Sequence, residues 1–390
     1  MKKCFKLTGC LFMTLLLVAG PVRAQEPVSL VGTLAPYLDK YKLPALAAAV
    51  VNNGDIIASG AVGLRRIDSD IPVSINDRFH IGSDTKAMTV LLAAMLIETR
   101  SDLEWSSSLA EIFPELSMYP ALGRSTIQQI MSHTSGLPGD NEEIIQLYFS
   151  AISEEGNLDE IRFWILKKWS GNESAHGIAG EFAYANLGYI ILGAVIERLT
   201  GRLWEELITE KIFDSLSLGT AGLGFQATLG RTDAAMPHVI ENEQPKAILG
   251  GHNADIPAFF GPAGTVHMSI LDFAVWAGWN AGQGRRGPEL VKPETLDKLH
   301  QWVVEMPERE NPKPGTPPGG RYALGWGELD VIWADRPLLY HGGSNGMNLA
   351  HIWIDLEQDL AMVTMTNICG DKANAALFSL AGELYNKYAE

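Results

Sequence analysis

The pattern of apolar and polar positions predicts a helix and two strands near the start of the chain. Residues 27–42 carry apolar side chains at helical spacing, which predicts an amphipathic helix. Two apolar runs follow at 45–51 and 56–62, with Asn53 and Gly54 between them. This dipeptide is typical of a type I′ turn, because both central residues of that turn need positive φ. The two runs therefore predict a β-hairpin.

The last quarter of the chain carries a second group of predicted strands. A Pro- and Gly-rich loop at 307–320 is followed by strand-like runs at 322–328, 349–354 and 360–366. A pattern of helical period over 372–388 closes the chain.

The long middle segment, 86–250, is mostly helical in pattern, and its acidic stretches indicate solvated faces. Strands at both ends with helices between them predict an α+β fold. In this fold an antiparallel sheet is flanked by the N- and C-terminal helices and carries an inserted, mostly helical subdomain. We expect 25–95 and 255–390 to form the α/β part and 96–254 the helical part.

The first 24 residues have the features of a cleavable signal peptide. Three lysines among the first six residues precede an apolar run at 11–19, and small residues at 22 and 24 suit a cleavage site. We therefore expect a mature chain from about Gln25, in the periplasm or secreted. A lipoprotein-like segment at 7–10 precedes the apolar run instead of following it, which argues against lipid anchoring. No later segment approaches the length of a membrane-spanning helix.

Composition narrows the possible partners. Hydrophobic residues make up 46% of the 390 residues and charged residues 19%, so the chain can bury a large core. The net charge of −16 becomes about −20 without the four basic residues of residues 1–24, which disfavours nucleic acid and anionic membrane surfaces. Cys369 is the one cysteine after the signal, and the nine histidines show no metal-binding spacing. We expect no metal, no cofactor and no stable membrane insertion, and the oligomeric state stays open.

Candidate chemistry begins at Ser83 and Lys86. A spacing of three places both side chains on one face of a predicted helix, next to the unpaired N–H groups of its first turn. Residues 87–97 contain no charge, so Lys86 faces an apolar setting that favours a neutral amine near pH 7. A neutral amine can take the proton of a serine hydroxyl. Alone, the pair also fits a lysine that merely extends its amine to solvent from a helix end.

Two further groups strengthen the case. Tyr184 and Asn186 lie two residues apart before an apolar helix, and a cationic lysine beside Tyr184 would lower its pKa and make it a proton shuttle. A core tyrosine and an N-cap asparagine fit the same pattern. In the second group, at 340–346, Gly342 and Gly343 allow close approach of a substrate to the backbone. This stretch also fits a glycine-rich turn.

The order Ser-x-x-Lys, Tyr-x-Asn and His-Gly-Gly resembles the serine β-lactamase and penicillin-binding protein superfamily. The class C β-lactamase-like branch, which includes esterases and D-aminopeptidases, is the most similar. The segments 131–138, 212–216 and 261–266 fit that branch too, so the resemblance covers almost all of the chain after the signal. The Gly-x-Ser-x-Gly pattern at 342–346 also matches the nucleophile elbow of α/β-hydrolases, but a strand-like run follows it and no later acid precedes His351.

The resemblance implies a role for each matching residue. Ser83 becomes the acylated nucleophile, and Lys86 and Tyr184 share the general-base work, with the division between them open. Asn186 orients the substrate and Lys86. The strand at 341–344 runs along the substrate, and the oxyanion hole lies at its end, with the backbone N–H groups of Ser83 and Ser344 as donors.

One departure from the family pattern affects the substrate. The family usually has Lys-Thr-Gly on this strand, whereas here His341 and Gly342 occupy the first two positions. A histidine is mostly neutral near pH 7, so we expect weaker carboxylate recognition and an esterase or amidase. The alternatives are a D-amino-acid peptidase or carboxypeptidase, a weak β-lactamase, or a receptor that binds cell-wall peptides or β-lactams without hydrolysis.

Overall fold

The structure is a computed structural model that describes residues 26–172, 177–251, 254–314 and 316–390. The predicted signal peptide, 1–24, lies outside these residues. The α-helices in the described ranges are α1 (Val31–Tyr41), α2 (Thr85–Thr99), α3 (Leu109–Ile112), α4 (Pro120–Gly123), α5 (Ile127–Met131), α6 (Glu142–Ile152), α7 (Leu158–Ser170), α8 (Asn186–Thr200), α9 (Trp204–Ile208), α10 (Gly261–Gly264), α11 (Ile270–Ala281), α12 (Pro293–His300) and α13 (Asp371–Tyr388).

The strands of the same ranges are β1 (Val28–Ser29), β2 (Ala45–Asn52), β3 (Asp55–Gly63), β4 (Arg78–His80), β5 (Gly222–Leu223), β6 (His238–Glu241), β7 (Gln244–Ala247), β8 (Val266–Ser269), β9 (Val304–Met306), β10 (Gly320–Tyr322), β11 (Gly327–Leu329), β12 (Leu338–Ser344), β13 (Leu349–Asp355) and β14 (Leu360–Thr366). Short 3₁₀ helices cover Gly82–Asp84 and Ala258–Phe260, and a π-helical turn covers Thr209–Asp214.

One large sheet joins the two ends of the chain. In the described residues its strand order is β1-β3-β2-β14-β13-β12-β11-β10-β9, and every pairing is antiparallel except β1 with β3. The hairpin at Asn53-Gly54 is confirmed, since these residues have φ of 53° and 83°. The C-terminal strand β14 pairs with β2 over Thr366↔Leu46 to Leu360↔Asn52. This architecture confirms the predicted α+β fold with an antiparallel sheet.

The sheet separates two apolar layers. One face packs against α1 and α13 and buries residues such as Trp353 and Leu377. The other face packs against α11 and continues into α2, α8 and the remaining helices of the middle segment. Helix α2 is buried along its first ten residues, as its lack of charge from 87 to 97 requires. No helix in the described part of the chain is long and apolar enough to cross a membrane.

Three details differ from the sequence predictions. The run 322–328 forms two strands, β10 and β11, because Gly325 adopts φ of 79° and reverses the chain between them. The middle segment, expected to be mostly helical, also contains the β6–β7 hairpin. Helix α1 begins at Val31 and not at 27, since Val28 and Ser29 pair with β3.

Candidate active site

Ser83 and Lys86 lie where the chain turns from β4 into α2. Ser83 occupies the 3₁₀ turn Gly82–Asp84, and Lys86 is the second residue of α2. The Lys86 side chain is fully buried while Ser83 is half-buried, so the amine lies below the hydroxyl in the floor of a cleft. The α2 helix can take a lysine here only if the amine finds polar partners, because a buried charge without them is costly.

The partners of the Lys86 amine come from three parts of the chain. Nζ lies 3.0 Å from Ser83 Oγ, 2.7 Å from Asn186 Oδ1 and 2.7 Å from the carbonyl oxygen of Ala263. Asn186 opens α8 and Ala263 belongs to α10, so two packed helices hold the amine against the serine.

This set of contacts suits a neutral amine. Burial lowers the pKa of Lys86 to about 7, and the charges of Asp140 and Asp84 oppose that shift. A neutral amine has two hydrogens and one lone pair. Two carbonyl acceptors, Asn186 Oδ1 and Ala263 O, take the hydrogens, which leaves the lone pair to accept the proton of the Ser83 hydroxyl. The site thus has the geometry of a serine with an adjacent base.

Tyr184 lies on the wall of the same cleft. The Lys86 amine is 4.9 Å from the centre of its ring, and 36% of the Tyr184 side chain remains exposed. The prediction that Lys86 lowers the pKa of this phenol is wrong. Desolvation of the phenol raises its pKa, a hydrogen bond with Ser83 opposes the rise, and the charges of Asp84 and Asp140 add to it. Tyr184 is therefore a protonated phenol near pH 7.

Two residues outside the three sequence motifs, Asp140 and His133, hold Asn186 and Tyr184 in place. Asp140 Oδ2 accepts from Asn186 Nδ2 at 2.6 Å, which turns Oδ1 of the amide towards Lys86. His133 Nδ1 accepts the N–H of Ala185 at 3.1 Å, and the centre of its ring lies 4.3 Å from that of Tyr184. Because Asp140 lies 46 positions from Asn186 in the sequence, no local pattern connects the two.

The end of β12 rests directly on the Ser83 turn. A Cβ on Gly343 would lie 1.8 Å from the carbonyl oxygen of Ile81 and 2.8 Å from the Ser83 nitrogen. A Cβ on Gly82, whose φ is 52°, would lie 2.2 Å from the Ser344 nitrogen. Two glycines thus let the backbones meet, and they bring the amides of Ser83 and Ser344 to the same place, as an oxyanion hole requires.

His341 faces the base of α2 and is 5% exposed. Its Nδ1 lies 3.2 Å from Asp84 Oδ1, without the alignment of a hydrogen bond, and its Nε2 lies 3.3 Å from the Tyr322 hydroxyl. Burial lowers the pKa of His341 to about 3, with the Lys86 charge contributing, and raises that of Asp84 well above its usual value. Burial therefore favours a neutral His341 near pH 7, in the same direction as the sequence prediction.

A cavity of about 450 Å³ contains Ser83, Tyr184, His341, Gly343 and Ser344 in its lining. This volume suits a small molecule. A larger depression of about 720 Å³ lies elsewhere on the surface and holds none of these residues. Among the described residues there is no group of three or more histidine, cysteine, aspartate or glutamate side chains that could hold a metal ion.

Comparisons with known proteins agree with this geometry. Residues 30–382 match the Beta-lactamase family. The chain is 23% identical to Protein flp of Staphylococcus aureus over 334 residues, which is 85% of this chain but spans 61% of that protein's length. It is 24% identical to Penicillin-binding protein 4 of Amycolatopsis lactamdurans over 361 residues, 90% of this chain and 87% of that protein.

Solved structures share the fold. An octameric penicillin-binding protein homologue from Pyrococcus abyssi superposes with a TM-score of 0.72 at 22% identity, over 91% of this chain and 76% of that one. A structure named Beta-Lactamase/D-Alanine Carboxypeptidase from Pseudomonas syringae has a TM-score of 0.69 at 17% identity, over 93% and 98%. The resemblance inferred from the three motifs is confirmed, and the chain belongs to the Beta-lactamase family.

Proposed function

We propose that this protein is an exported serine hydrolase that cleaves an ester or amide through an acyl-enzyme on Ser83, with Lys86 as the general base. The contact set of the Lys86 amine carries the proposal. In the neutral amine, Asn186 Oδ1 and Ala263 O accept the two hydrogens, and the lone pair is left for the Ser83 hydroxyl. A pKa of about 7 leaves much of the amine neutral at physiological pH.

The proton path follows from these contacts. Ser83 Oγ attacks the carbonyl carbon as its proton passes to Lys86 Nζ, and the amides of Ser83 and Ser344 bind the developing oxyanion. Protonated Lys86 then gives this proton to the leaving alcohol or amine, either directly or through the Tyr184 phenol. Water then attacks the acyl carbon as its proton passes to Lys86. The bond between Ser83 Oγ and the acyl group breaks, and Lys86 returns the proton to Oγ. Tyr184 acts as a proton relay because its raised pKa keeps it protonated.

Substrate choice between esters and peptides is tested directly. Purified mature protein is assayed with 4-nitrophenyl butyrate, a D-alanyl-D-alanine peptide and a chromogenic cephalosporin, beside Ser83→Ala. Ser150→Ala is the matched control, since Ser150 is exposed on α6 and bonds only its own helix at Gln146 O. Ester turnover that Ser83→Ala abolishes and Ser150→Ala retains supports the proposal. Equal ester turnover in all three proteins excludes Ser83 as the nucleophile.

The alternative functions predict different outcomes in the same assays. Faster turnover of the D-alanyl peptide than of the ester favours a carboxypeptidase, a name that the Pseudomonas syringae neighbour carries. Fast cephalosporin turnover favours a β-lactamase. A single stoichiometric burst followed by a stable acyl-protein in mass spectrometry favours a non-hydrolytic receptor.

Export is tested separately from chemistry. The full chain is expressed in a Gram-negative host, and the N-terminus of the periplasmic or secreted product is determined by mass spectrometry. A product that begins at Gln25 supports cleavage after residue 24. Full-length protein that stays in the cytoplasm contradicts the export part of the proposal and leaves the catalytic part intact.

A further inference from the structure

The mostly buried carboxyl group of Asp255 contacts two side chains from distant parts of the sequence. Asp255 lies in the loop before Ala258–Phe260, and its Oδ1 atom accepts from Asn345 Nδ2 at 3.0 Å and from the N–H of Ile256 at 2.8 Å. The same oxygen lies 3.2 Å from Nε2 of the fully buried His80. Burial raises the pKa of Asp255, but the contacts with His80 and Asn345 lower it below its usual value. Asp255 is therefore a carboxylate near pH 7.

His80 links Asp255 to the turn that carries Ser83. The Nδ1 atom of His80 accepts the N–H of Gly82 at 3.0 Å. Because an accepting nitrogen carries no hydrogen, the N–H of the ring is at Nε2, the atom that faces Asp255. The contact between Asp255 and His80 therefore holds the residue immediately before Ser83.

Asn345 links Asp255 to the turn that follows Ser344. The Oδ1 atom of Asn345 accepts the N–H groups of Met347 and Asn348 at 3.2 Å and 3.0 Å. The carbonyl oxygen of Asn348 in turn accepts from the Ser344 hydroxyl at 2.6 Å. Asn345 is 8% exposed, and Asn348 is fully buried. The contact between Asp255 and Asn345 therefore holds the residue immediately after Ser344.

These contacts matter for the proposed oxyanion hole, because its donors cannot hold themselves in place. The amides of Ser83 and Ser344 must keep their hydrogens free for the substrate, so these hydrogens cannot bond the two turns together. Donors stabilise an oxyanion best when the protein fixes their positions before the reaction. Asp255 meets this need, because it contacts the side chains that hold the chain next to both donors.

We propose that Asp255 is a positioning residue for the hydrolase reaction. Its Oδ1 atom holds His80 and Asn345 and thereby fixes the two turns whose amides bind the oxyanion. Asp255 does not line the cavity at Ser83, so it acts through these two side chains. This inference rests on the proposed function, and it adds a residue that belongs to none of the three sequence motifs.

The experiment compares an oxygen ester with a sulfur ester. Wild type and Asp255→Ala are assayed with 4-nitrophenyl butyrate and with its thiono analogue, in which sulfur replaces the carbonyl oxygen. Sulfur accepts hydrogen bonds more weakly and its bond to carbon is longer, so the thiono ester gains less from well-placed donors. The ratio of the two kcat/KM values therefore reports the oxyanion hole. A loss of folded enzyme lowers both values by the same factor and leaves this ratio unchanged.

Asp255→Ala should lower kcat/KM for the oxygen ester about 10²-fold, as the loss of one oxyanion donor does. The thiono ester should lose less, so that the ratio falls about tenfold or more. Asp255→Asn keeps an oxygen at the position of Oδ1, which makes all of the contacts described, and it should retain most of the wild-type ratio. A wild-type ratio in Asp255→Ala, or an equal loss in both variants, overturns the proposal.

Asp355 provides the matched control. It is also a buried aspartate, and its carboxylate accepts two backbone amides and the Tyr385 hydroxyl. It lies at the opposite end of β13 from Leu349, the partner of Ser344 in the sheet. Asp355→Ala should lower the urea concentration at the midpoint of unfolding and keep the wild-type ratio. A ratio that falls as far in Asp355→Ala as in Asp255→Ala contradicts a specific role for Asp255.

A second variant covers the case in which Asp255→Ala does not fold. His80→Gln keeps an N–H donor that can reach Asp255 and removes the nitrogen that accepts from Gly82. The ratio of the two kcat/KM values should again fall about tenfold or more, because the turn before Ser83 is released. A wild-type ratio in His80→Gln would show that this contact does not position the Ser83 amide.

Hydrogen exchange separates this proposal from the hydrolase function, because it needs no substrate. The amides of Gly82, Met347 and Asn348 are hydrogen-bonded within the two turns. Their exchange, followed by mass spectrometry of peptides, should be about tenfold faster in Asp255→Ala and unchanged in Asp355→Ala. Faster exchange in both turns supports the positioning role even if no ester is hydrolysed. Exchange at the wild-type rate in either turn overturns it, even if esters are hydrolysed through Ser83.

Discussion

At the scale of single residues, the charge of Lys86 decides whether the Ser83 hydroxyl can lose its proton. The protonated amine has no lone pair, so it can only donate to Ser83 Oγ. With a pKa of about 7 the amine changes state inside the physiological range. Burial of the amine is the main cause of the shift, and the charges of Asp140 and Asp84 oppose it.

The pH profile of acylation follows from that pKa. We expect kcat/KM for a neutral ester to rise with pH through an apparent pKa of about 7, because protonated Lys86 cannot accept the serine proton. Below this value the rate should fall about tenfold per pH unit. Tyr184→Phe should lower the rate but leave the acidic limb, the fall of kcat/KM below an apparent pKa of about 7, unchanged. The reason is that the phenol stays protonated throughout this pH range. A limb that disappears in Tyr184→Phe but persists in Lys86→Met would assign the base to Tyr184.

Substitution of Asp140 provides a second test of the pKa of Lys86. Its negative charge raises the pKa of Lys86, so Asp140→Asn should move the acidic limb of kcat/KM to lower pH. The new amide can still accept from Asn186 Nδ2, which preserves the geometry at Lys86. Tyr148→Phe is the matched control, because it removes a neutral partner of Asp140 at 3.3 Å and leaves the charge. A limb that moves to higher pH, or does not move, would show that Asp140 does not act through its charge.

Sequence reasoning found the residues of the site whose contacts are local. Ser83 and Lys86 are three positions apart on one helical turn, so their contact follows from helix geometry. Ala263 lies 177 positions from Lys86, and only the packing of α10 against α2 brings its carbonyl to the amine. The pKa of Tyr184 was predicted wrongly for a related reason. Proximity to Lys86 was visible in the motif, whereas desolvation of the phenol depends on the whole cleft.

At the scale of elements, the contact between β12 and the Ser83 turn sets the geometry of the proposed oxyanion hole. Gly343→Ala would place a methyl group 1.8 Å from the Ile81 carbonyl oxygen, so the strand must move away from Ser83. We expect a loss of kcat/KM of about 10²-fold or more, the cost of removing one oxyanion donor. Unfolding in urea should report a destabilisation of about 1–3 kcal/mol.

A glycine without neighbours provides the control for that substitution. Gly219 lies in a loop where an added Cβ meets nothing within 4 Å, so Gly219→Ala should leave activity and stability nearly unchanged. Near wild-type kcat/KM for Gly343→Ala would mean that the Ser344 amide is not an oxyanion donor. This outcome would also remove the functional meaning of the close backbone approach.

Element types were predictable where the pattern was long or the turn distinctive. The Asn53-Gly54 hairpin and strands β13 and β14 formed as their sequences indicate. The run 322–328 did not form one strand, because Gly325 packs against α2 in the left-handed region and reverses the chain. That conformation depends on a tertiary contact, so alternation of apolar residues alone could not show it.

At the scale of the whole molecule, a buried ion network joins the helices that surround the site. Arg162 of α7 is fully buried and bonds Glu197 of α8 and Glu205 of α9. Its Nε also donates to the carbonyl oxygen of Phe259 at 3.0 Å, just before the segment that presents Ala263 to Lys86. No local sequence pattern indicates this network, because its members lie on three separate helices.

Arg162→Met should therefore destabilise the fold strongly. It keeps an apolar stem but leaves two carboxylates without their cation, a change that costs about 3–5 kcal/mol in buried ion pairs. Urea unfolding measures the loss, with Arg198→Ala as the control. Arg198 forms an exposed pair with Glu115, so its removal should cost less than about 1 kcal/mol.

The deficit of Arg162→Met should also depend on pH. Burial already raises the pKa of Glu197 to about 7, and the Arg162 charge is the largest influence holding it down. Without Arg162 the folded-state pKa rises further above the unfolded value. The folded state then holds a proton that the unfolded state releases, so stability falls as pH rises between the two values. The deficit relative to wild type should thus be larger at pH 8 than at pH 5.5. An equal deficit at both values would mean that Glu197 is not the buried carboxylate left without a cation, and that the loss comes from packing around Trp204 instead.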